Sequence, residues 1–558
     1  MKRIAAVLLC GAICMSLVSC SKAEETKKKK KKTKKTTVET EETEETDIPT
    51  DETTDTSATE DTSDTEPSES ETTPPENIFV MDDSLSMLDL SYPYELWRYT
   101  AAFDKESEQT NSLFLAVDQL YFEPGSPYTQ LESALERDLA DSSGATIAQY
   151  KEDSQKFLSD AKSGGAPAGK NYEFRTALFR SDTQIFSFAI TSSVDMEEGE
   201  FRAYNYRTED GSTITLDDVV LDRAALSGYV EQLLNMPGAG NDYKTWLSDV
   251  ENSILDGSFV FTMTYDAINI LITNYGMINY DVIKIPVYGH EDIFNMEYFG
   301  KTPQYYTIFD DINHEILWDV NSDGQMDTIK VSSEYSEGTS DYGSDEVILN
   351  VDYNGYKIDS KTLGLDIFAY DVLYSMVMKT DSGFYLYCRM NSIDSFEDTY
   401  VFKIDKDTLS YVGYFGDFMC ARGLIDPQNF EMRDICDTLG SCFYSNVFSV
   451  IGNNGMPEFL YDLWVSDADP ITTKIDISCA KVDENNYTKV EDTTIPAGSF
   501  VRPYLYDVQT RRLIVMVVNE DPAKEFYAEL DFEKDDNFNF TVNGKDIYDV
   551  FYSIMFWG

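Results

Sequence analysis

Histidine is almost absent from this chain, which contains only His290 and His314 in 558 residues. Histidine is the most frequent general base and a common metal ligand in enzymes, so few candidates remain for either role. The sequence also lacks the Gly-x-Ser-x-Gly turn of serine hydrolases and the His-Glu-x-x-His helix of zinc proteases. Catalysis by a pair of carboxylates remains an alternative, because a sequence does not give the distance between the two groups. We therefore expect a protein that is not an enzyme.

Cysteine is also scarce, and its positions are uneven. Of the eight cysteines, Cys10, Cys14 and Cys20 lie in the first 20 residues. The other five lie in the last third of the chain and are Cys388, Cys420, Cys436, Cys442 and Cys479. None forms a Cys-x-x-Cys pair and neither histidine lies at ligand spacing from a cysteine, which argues against zinc. Two interpretations of the five cysteines remain. They could form one or two disulfides, or all five could be buried thiols in a reducing habitat.

Positive charge is in short supply. The formal net charge is −57, and residues 78–558 carry 33 lysines and arginines against 83 aspartates and glutamates, which gives −50. A field of this sign repels nucleic acid and anionic lipid, and it attracts metal cations and basic proteins. We therefore expect no nucleic-acid partner. Solubility at a crowded surface is the alternative reason for the acidity.

Long apolar runs are missing except at the start of the chain. Lys2 and Arg3 precede the apolar run 4–18, which is shorter than the roughly 20 residues that a spanning helix needs. The run ends in Leu17-Val18-Ser19-Cys20, which resembles a bacterial lipobox. That resemblance implies a signal peptide over 1–19, lipidation of Cys20, and a bacterial cell-membrane location facing the extracytoplasmic side. A plain signal peptide or a short membrane helix is the alternative.

Residues 20–77 have the composition of a tether. The stretch 27–35 is nearly pure lysine, and 39–76 consists mainly of Thr, Glu, Asp, Ser and Pro. Such a segment cannot bury enough apolar surface to offset its ordering entropy, so we expect it to be disordered. The basic block would lie near anionic headgroups beside the lipid anchor. The segment is therefore predicted to hold a folded head away from the membrane.

Residues 78–300 carry a mixed pattern that predicts an α+β domain with a mostly antiparallel sheet and helices. Helical spacing covers 127–163 and 223–234, and strand patterns fall at 172–179, 184–191, 201–206, 259–264, 268–273 and 282–286.

The stretch 95–290 resembles the extracellular domain shared by the anti-sigma factor RsiV and the deacetylase PdaC. The residues that carry the resemblance are Tyr204-Asn205-Tyr206, Asp210-Gly211, Ile214, Leu216 and Asp217, followed by a strand pair that ends in Ile283-Lys284-Ile285-Pro286. These motifs are structural turns and strands. The resemblance implies a binding module, which in RsiV binds lysozyme, a strongly basic protein. The chain lacks a cytoplasmic anti-sigma segment and a deacetylase domain, so the resemblance supports recognition.

The sharpest local motif lies between two strand-like segments, 316–318 and 329–331. Oxygen-bearing side chains recur there at positions 1, 3, 5 and 9, with Gly324 at position 6 and a backbone carbonyl at position 7. The candidate calcium ligands are Asp319, Asn321, Asp323, Gln325 and Asp327. Position 12 is Lys330, not the Glu of an EF-hand, so the loop resembles those of integrin-type (FG-GAP) propeller blades. We expect a structural Ca²⁺; an ordinary Asp/Asn/Gly turn is the alternative.

The pattern of residues 301–558 predicts an all-β C-terminal part that is propeller-like or SH3-like in places. We expect two domains there, 301–450 and 451–558. Asn354-Gly355 between two strand patterns predicts a hairpin. Only one calcium loop occurs, which does not support a propeller of equal blades, and 495–503 resembles the entry of small SH3-like barrels.

Together these features predict a lipid-anchored, non-catalytic surface binding protein. Its acidic head would recognise a cationic envelope-directed protein such as lysozyme, as a sensor or decoy. An envelope scaffold or a glycan-binding lipoprotein, with a cell-wall component as partner, is the alternative.

Overall fold

The protein is mostly β, with a few helices. The computed structural model describes residues 78–556 apart from 123–124, 166, 196, 235–242, 274–279, 312, 336–345, 370, 392–397, 417–425, 467 and 536–537. All the described residues belong to one compact unit. None of the described helices is long and apolar enough to cross a membrane.

The first part, residues 80–286, combines strands with the main helices. Its strands are β1 (Val80–Met81), β2 (Leu90–Asp104), β3 (Gln109–Phe122), β4 (Lys170–Ser181), β5 (Ile185–Val194), β6 (Glu197–Arg207), β7 (Thr262–Met263), β8 (Ala267–Thr273) and β9 (Tyr280–Pro286). Its helices are α1 (Thr129–Lys162), α2 (Leu216–Val219), α3 (Arg223–Leu234) and α4 (Tyr243–Asp256).

One sheet in this part has the order β2-β3-β4-β5-β6, and a second has the order β7-β8-β9. All their neighbouring strands are antiparallel except β3 and β4, which are parallel. The crossover between β3 and β4 is α1, because parallel neighbours cannot be joined by a tight turn. Leu131, Leu135 and Phe157 of α1 are buried in the same hydrophobic cluster as the inner face of the first sheet.

The middle part is a set of strands that are antiparallel to their neighbours, except for the first one, which is parallel to β1. They are β10 (Lys301–Thr302), β11 (Tyr306–Phe309), β12 (Glu315–Trp318), β13 (Asp327–Tyr335), β14 (Glu346–Tyr353), β15 (Tyr356–Asp359), β16 (Ile367–Phe368), β17 (Asp371–Thr380), β18 (Gly383–Asn391), β19 (Thr399–Asp405) and β20 (Thr408–Phe415). Two five-stranded sheets result, β11-β17-β18-β19-β20 and β12-β13-β14-β15 with β16 beside β14; β10 pairs with β1.

The last part contains the largest sheet. Its strands are β21 (Phe430–Thr438), β22 (Gly440–Ser449), β23 (Glu458–Phe459), β24 (Trp464–Ser466), β25 (Ile471–Thr472), β26 (Ile477–Val482), β27 (Lys489–Ile495), β28 (Phe500–Asp507), β29 (Arg512–Val518), β30 (Phe526–Leu530), β31 (Phe532–Lys534), β32 (Phe540–Val542) and β33 (Lys545–Asp546), with a 3₁₀ turn at Pro522–Lys524 and helix α5 (Ile547–Val550). Strands β21–β30 form a ten-stranded sheet, and β31–β33 form a small one.

The hydrophobic cores run across the positions at which the sequence suggested domain boundaries. One cluster of buried residues extends from Phe79 to Leu409, and a second from Met376 to Phe551. The boundaries at 300 and 450 stay predictions. Among the described strands no sheet closes on itself and no propeller is seen: the predicted SH3-like segment ends in β28, inside the open ten-stranded sheet.

Candidate functional site

The candidate calcium loop connects β12 to β13, which are antiparallel and close with the pair Trp318–Asp327. This is the strand–loop–strand arrangement that the alternating flanks predicted. Within the loop, Ser322 and Gly324 have φ angles of 60° and 85°. Such left-handed residues let the backbone turn tightly enough for alternate side chains to face the loop interior.

Three of the predicted ligands hold the loop through its own backbone. The Asp319 carboxylate accepts hydrogen bonds from the amides of Asp323 and Gly324, both at 3.1 Å. The amide of Asp323 also donates to the side-chain oxygen of Asn321 at 2.9 Å, and the amide of Gln325 donates to the Asp323 carboxylate at 2.9 Å. These contacts bring Asp319, Asn321 and Asp323, the first three predicted ligands, into one small ring.

Asp327 closes the ring from the other strand, and it is the most deeply buried of the set, with 3% of its surface exposed. Its carboxylate accepts from the amides of Val320 (3.0 Å) and Asn321 (3.3 Å) and from the side-chain amides of Asn321 (3.3 Å) and Asn354 (2.5 Å). All four donors are neutral. Burial raises the pKa of Asp327, with Asp323 adding repulsion. A cation at this position would therefore stabilise the ionised carboxylate.

The neighbouring hairpin adds a side chain to this site that was not predicted from the sequence. Asn354, in the β14–β15 turn, accepts from the Thr328 amide at 2.8 Å while it donates to Asp327. Tyr353 donates its hydroxyl to the Lys406 carbonyl at 2.7 Å, which fastens the β19–β20 turn beside the loop. The signal that could have been used is the Asn-Gly turn itself, since Asn at this position offers a free amide.

The donor set has the chemistry of a calcium site, because it is made of oxygens and includes three carboxylates. Asp323 is exposed, so a bound ion would be open to solvent on that side. Among the described residues, however, no three His, Cys, Asp or Glu side chains are grouped so that they could hold a metal ion. The carboxylates therefore do not form a complete shell alone, and the Asn321 side chain and Gln325 carbonyl would have to contribute.

A second polar cluster lies just before the loop. The buried Asp310 carboxylate is 2.8 Å from Nδ1 of His314, and Ser375 donates to the same carboxylate from its hydroxyl (2.9 Å) and its amide (2.7 Å). Burial raises the pKa of Asp310. Burial also opposes protonation of His314, but the contact with Asp310 outweighs it and the pKa of His314 is raised. The Ser375 hydroxyl is bonded to the carboxylate and not to the imidazole, so this is not the arrangement of a serine nucleophile with its base.

One described cysteine lies beside the second cluster, because Cys388 pairs with Ser375 across β17 and β18. Cys388, Cys436, Cys442 and Cys479 are thiols in this structure. Cys436 and Cys442 are paired directly across β21 and β22. Cys20 and Cys420 lie outside the described residues, so lipidation of Cys20 and the tether over 20–77 stay predictions.

Comparison with known proteins gives little help. No protein-family model matches the chain, and no curated protein matches it. Among solved structures, a DUF3298 family protein from Pseudomonas aeruginosa PAO1 is similar at 15% identity and a TM-score of 0.26, covering 38% of this chain and 97% of its own. A DUF3298 family member from Bacteroides fragilis is similar at 14% identity and a TM-score of 0.24, covering 38% and 95%. Likeness at this level assigns neither a fold nor a function.

Proposed function

We propose that this protein is a lipid-anchored binding protein on the extracytoplasmic face of a bacterial membrane, and that it captures a cationic envelope-directed protein such as lysozyme, as a sensor or decoy. The observation that carries the proposal is the net charge of −50 over residues 78–558. A charge of this size, spread over a folded surface, accelerates association with a basic protein and disfavours anionic competitors.

The turn and short helix that follow β6 carry an acidic surface. Glu209, Asp210, Asp217 and Asp222 are exposed there. Arg207 lies 3.9 Å from Asp218 and so links the turn to helix α2. The amide of Leu221 donates to the Ile293 carbonyl, which brings the exposed Asp292 to the same region. We call Glu209, Asp210, Asp217, Asp222 and Asp292 the acidic edge.

Within this proposal a calcium ion in the 319–327 loop has a structural role. Asp319, Asn321, Asp323 and Asp327 would hold it with the carbonyl of Gln325. The ion would supply positive charge beside the buried Asp327, and it would tie β12, β13 and the β14–β15 hairpin together. No catalytic step is assigned to it.

The test is a titration of the full-length protein with lysozyme at about 50 mM and about 150 mM salt. Electrostatic capture should weaken steeply as the Debye length shortens from about 14 Å to about 8 Å. It should also be lost when the lysozyme lysines are acetylated, because the fold of the ligand is kept while its charge is removed. The double variant Glu209→Gln with Asp292→Asn should weaken binding severalfold, since neither side chain holds a hydrogen bond or ion pair within the described structure.

The matched control is Glu484→Gln with Glu533→Gln, which removes the same two charges from exposed positions near the other end of the chain. If both double variants weaken lysozyme binding equally, binding depends on the electrostatic field of the whole protein and not on the acidic edge. Absence of binding at physiological salt would refute capture. Binding of wall glycans without salt dependence would favour the glycan-binding alternative.

A further inference from the structure

A cavity of about 680 Å³ lies where strand β2 of the first sheet faces the ten-stranded sheet. This volume is within the range of sites that bind small molecules. Its lining joins residues that are more than 400 positions apart, from Trp97 on β2 to Tyr527 on β30. The cavity plays no part in the proposed capture of a cationic protein.

Aromatic rings form one wall of the cavity. Tyr504 and Tyr527 have ring centroids 4.7 Å apart, and Tyr487 lies 6.3 Å and 6.2 Å from them. All three are only half-buried, as is Trp97. Tyr461 stands at the rim with 61% of its surface exposed. Partly exposed aromatic rings in a concave site are suited to a ligand that carries a flat, partly apolar ring.

Arg502, on β28, lines the same cavity and is 1% exposed. Its guanidinium carbon lies 5.1 Å, 5.0 Å and 5.5 Å from the rings of Trp97, Tyr99 and Tyr504. Nη2 donates to the Ser466 carbonyl, and Nε is buried without a hydrogen-bond partner. No carboxylate in the described part of the chain forms an ion pair with it. The nearby Glu525 is paired with Arg98 at 3.4 Å.

An arginine in this state is unusual in a protein with so many carboxylates. Buried charges are ordinarily paired, because an uncompensated ion in a poorly solvated site is costly. Contacts with aromatic rings offset only part of that cost. Asp469 and Glu525 are near enough to attract the Arg502 charge, but neither forms an ion pair with it in the described structure. The buried Nε without a hydrogen bond and the place of Arg502 in the cavity lining therefore point to an external anion, and guanidinium groups bind carboxylates with particular geometric specificity.

We propose that this cavity binds an acidic sugar, whose carboxylate pairs with Arg502 and whose ring packs against the tyrosine wall. The C–H face of a pyranose supplies the flat apolar surface, and Ser445 and Asp462 in the lining can bond its hydroxyls. This gives residues and a ligand class to the glycan-binding alternative, and it does not depend on the capture of a cationic protein.

The experiment titrates the full-length protein with two acid–neutral pairs, glucuronic acid against glucose and N-acetylmuramic acid against N-acetylglucosamine. Binding is followed by tryptophan fluorescence and by saturation-transfer NMR. At least one acid should bind tenfold or more tightly than its neutral partner, and which acid does so distinguishes a uronic-acid glycan from a muramic-acid glycan. Inorganic phosphate should compete only weakly, because it offers no ring.

Arg502→Met should remove most of the preference for the acid, and Tyr461→Ala should weaken both members of the preferred pair severalfold. Within the described part of the chain, Tyr461 forms a hydrogen bond only through its backbone carbonyl, so this variant should fold even if Arg502→Met does not. Arg511→Met, an exposed arginine on the same hairpin, is the control and should bind like the wild type. Equal affinity for acids and neutral sugars, equal competition by phosphate, or no binding of any sugar would each overturn the proposal.

Discussion

The sharpest prediction concerns Asp327, because calcium and an ordinary turn assign it different roles. Its carboxylate is 3% exposed and has only neutral donors. Because Asp323 is exposed to solvent, we expect a weak calcium site, with a Kd in the range of about 10⁻⁴–10⁻³ M found for extracellular calcium modules. A Ca²⁺ concentration of 10 mM is then about 10 to 100 times the Kd. Linkage predicts a stabilisation of about 1.4–2.7 kcal/mol.

Asp327→Asn should abolish that calcium-dependent gain. Asparagine keeps one acceptor for the loop amides but cannot supply the carboxylate. The comparison is made within each variant, with and without calcium, so any change in the stability of the calcium-free protein cancels. Urea unfolding followed by tryptophan fluorescence is a suitable assay, because Trp318 borders the loop.

Asp352→Asn is the control, since Asp352 lies on the adjoining strand, where it pairs with Lys357 and receives the Gly355 amide. It should retain the full calcium effect, and 10 mM Mg²⁺ should stabilise the wild type much less, because Mg²⁺ prefers a strict octahedral shell. The calcium hypothesis is refuted if the wild type gains nothing from Ca²⁺, or if Asp327→Asn gains as much as the wild type.

Three further predictions test individual elements of the fold. Burial raises the pKa of Asp426 to about 6, against about 3.9 in an unfolded chain, so its ionisation lowers stability progressively as the pH rises from about 4 to about 6. Asp426→Asn should therefore stabilise the protein at pH 7.5 by up to about 3 kcal/mol and change little at pH 4, as measured by urea unfolding at both pH values. Gly211 has φ 64°, and a Cβ there would lie 2.6 Å from a carbonyl of α1, so Gly211→Ala should cost about 2 kcal/mol or more; Gly355→Ala, where the space is open, should cost less. Cys436 and Cys442 face each other across an antiparallel pair, which suits the Cα separation of a disulfide, so oxidised glutathione should join these two in preference to the other described cysteines, as read by peptide mass mapping.

Local signals in the sequence predicted local structure well. Helix 223–234 and the Asn354-Gly355 hairpin both form as expected, and Asn354 and Gly355 take φ angles of 51° and 86°. These features depend on neighbouring residues only, so the pattern contains all the information needed.

The long hairpin β2–β3 was not predicted, because its turn offers no glycine or proline. Residues 105–108 are Lys-Glu-Ser-Glu, and Glu108 takes the left-handed conformation with φ 54°. Similarly, no local pattern could show that β24 pairs with β28 or that β26 pairs with β30. The contact of Asn354 with Asp327 and the cavity around Arg502 depend on these distant pairings. For the same reason the sequence indicated the five candidate calcium ligands but not the residues that surround them.

Added salt should change the affinity of the two proposed ligands differently, so ionic strength distinguishes the two proposed binding functions. Capture of a basic protein depends on the field of many exposed carboxylates, so added salt must weaken it. An acidic sugar experiences the same field as repulsion while it approaches, and its final contact with the buried Arg502 is screened far less. Raising salt from about 10 mM to about 150 mM should therefore leave acidic-sugar affinity unchanged or strengthen it modestly, mainly through the association rate. A salt series on one preparation with both ligands would show this. If acidic-sugar binding instead fell as steeply as lysozyme binding, the sugar would be held by exposed basic side chains and not by Arg502.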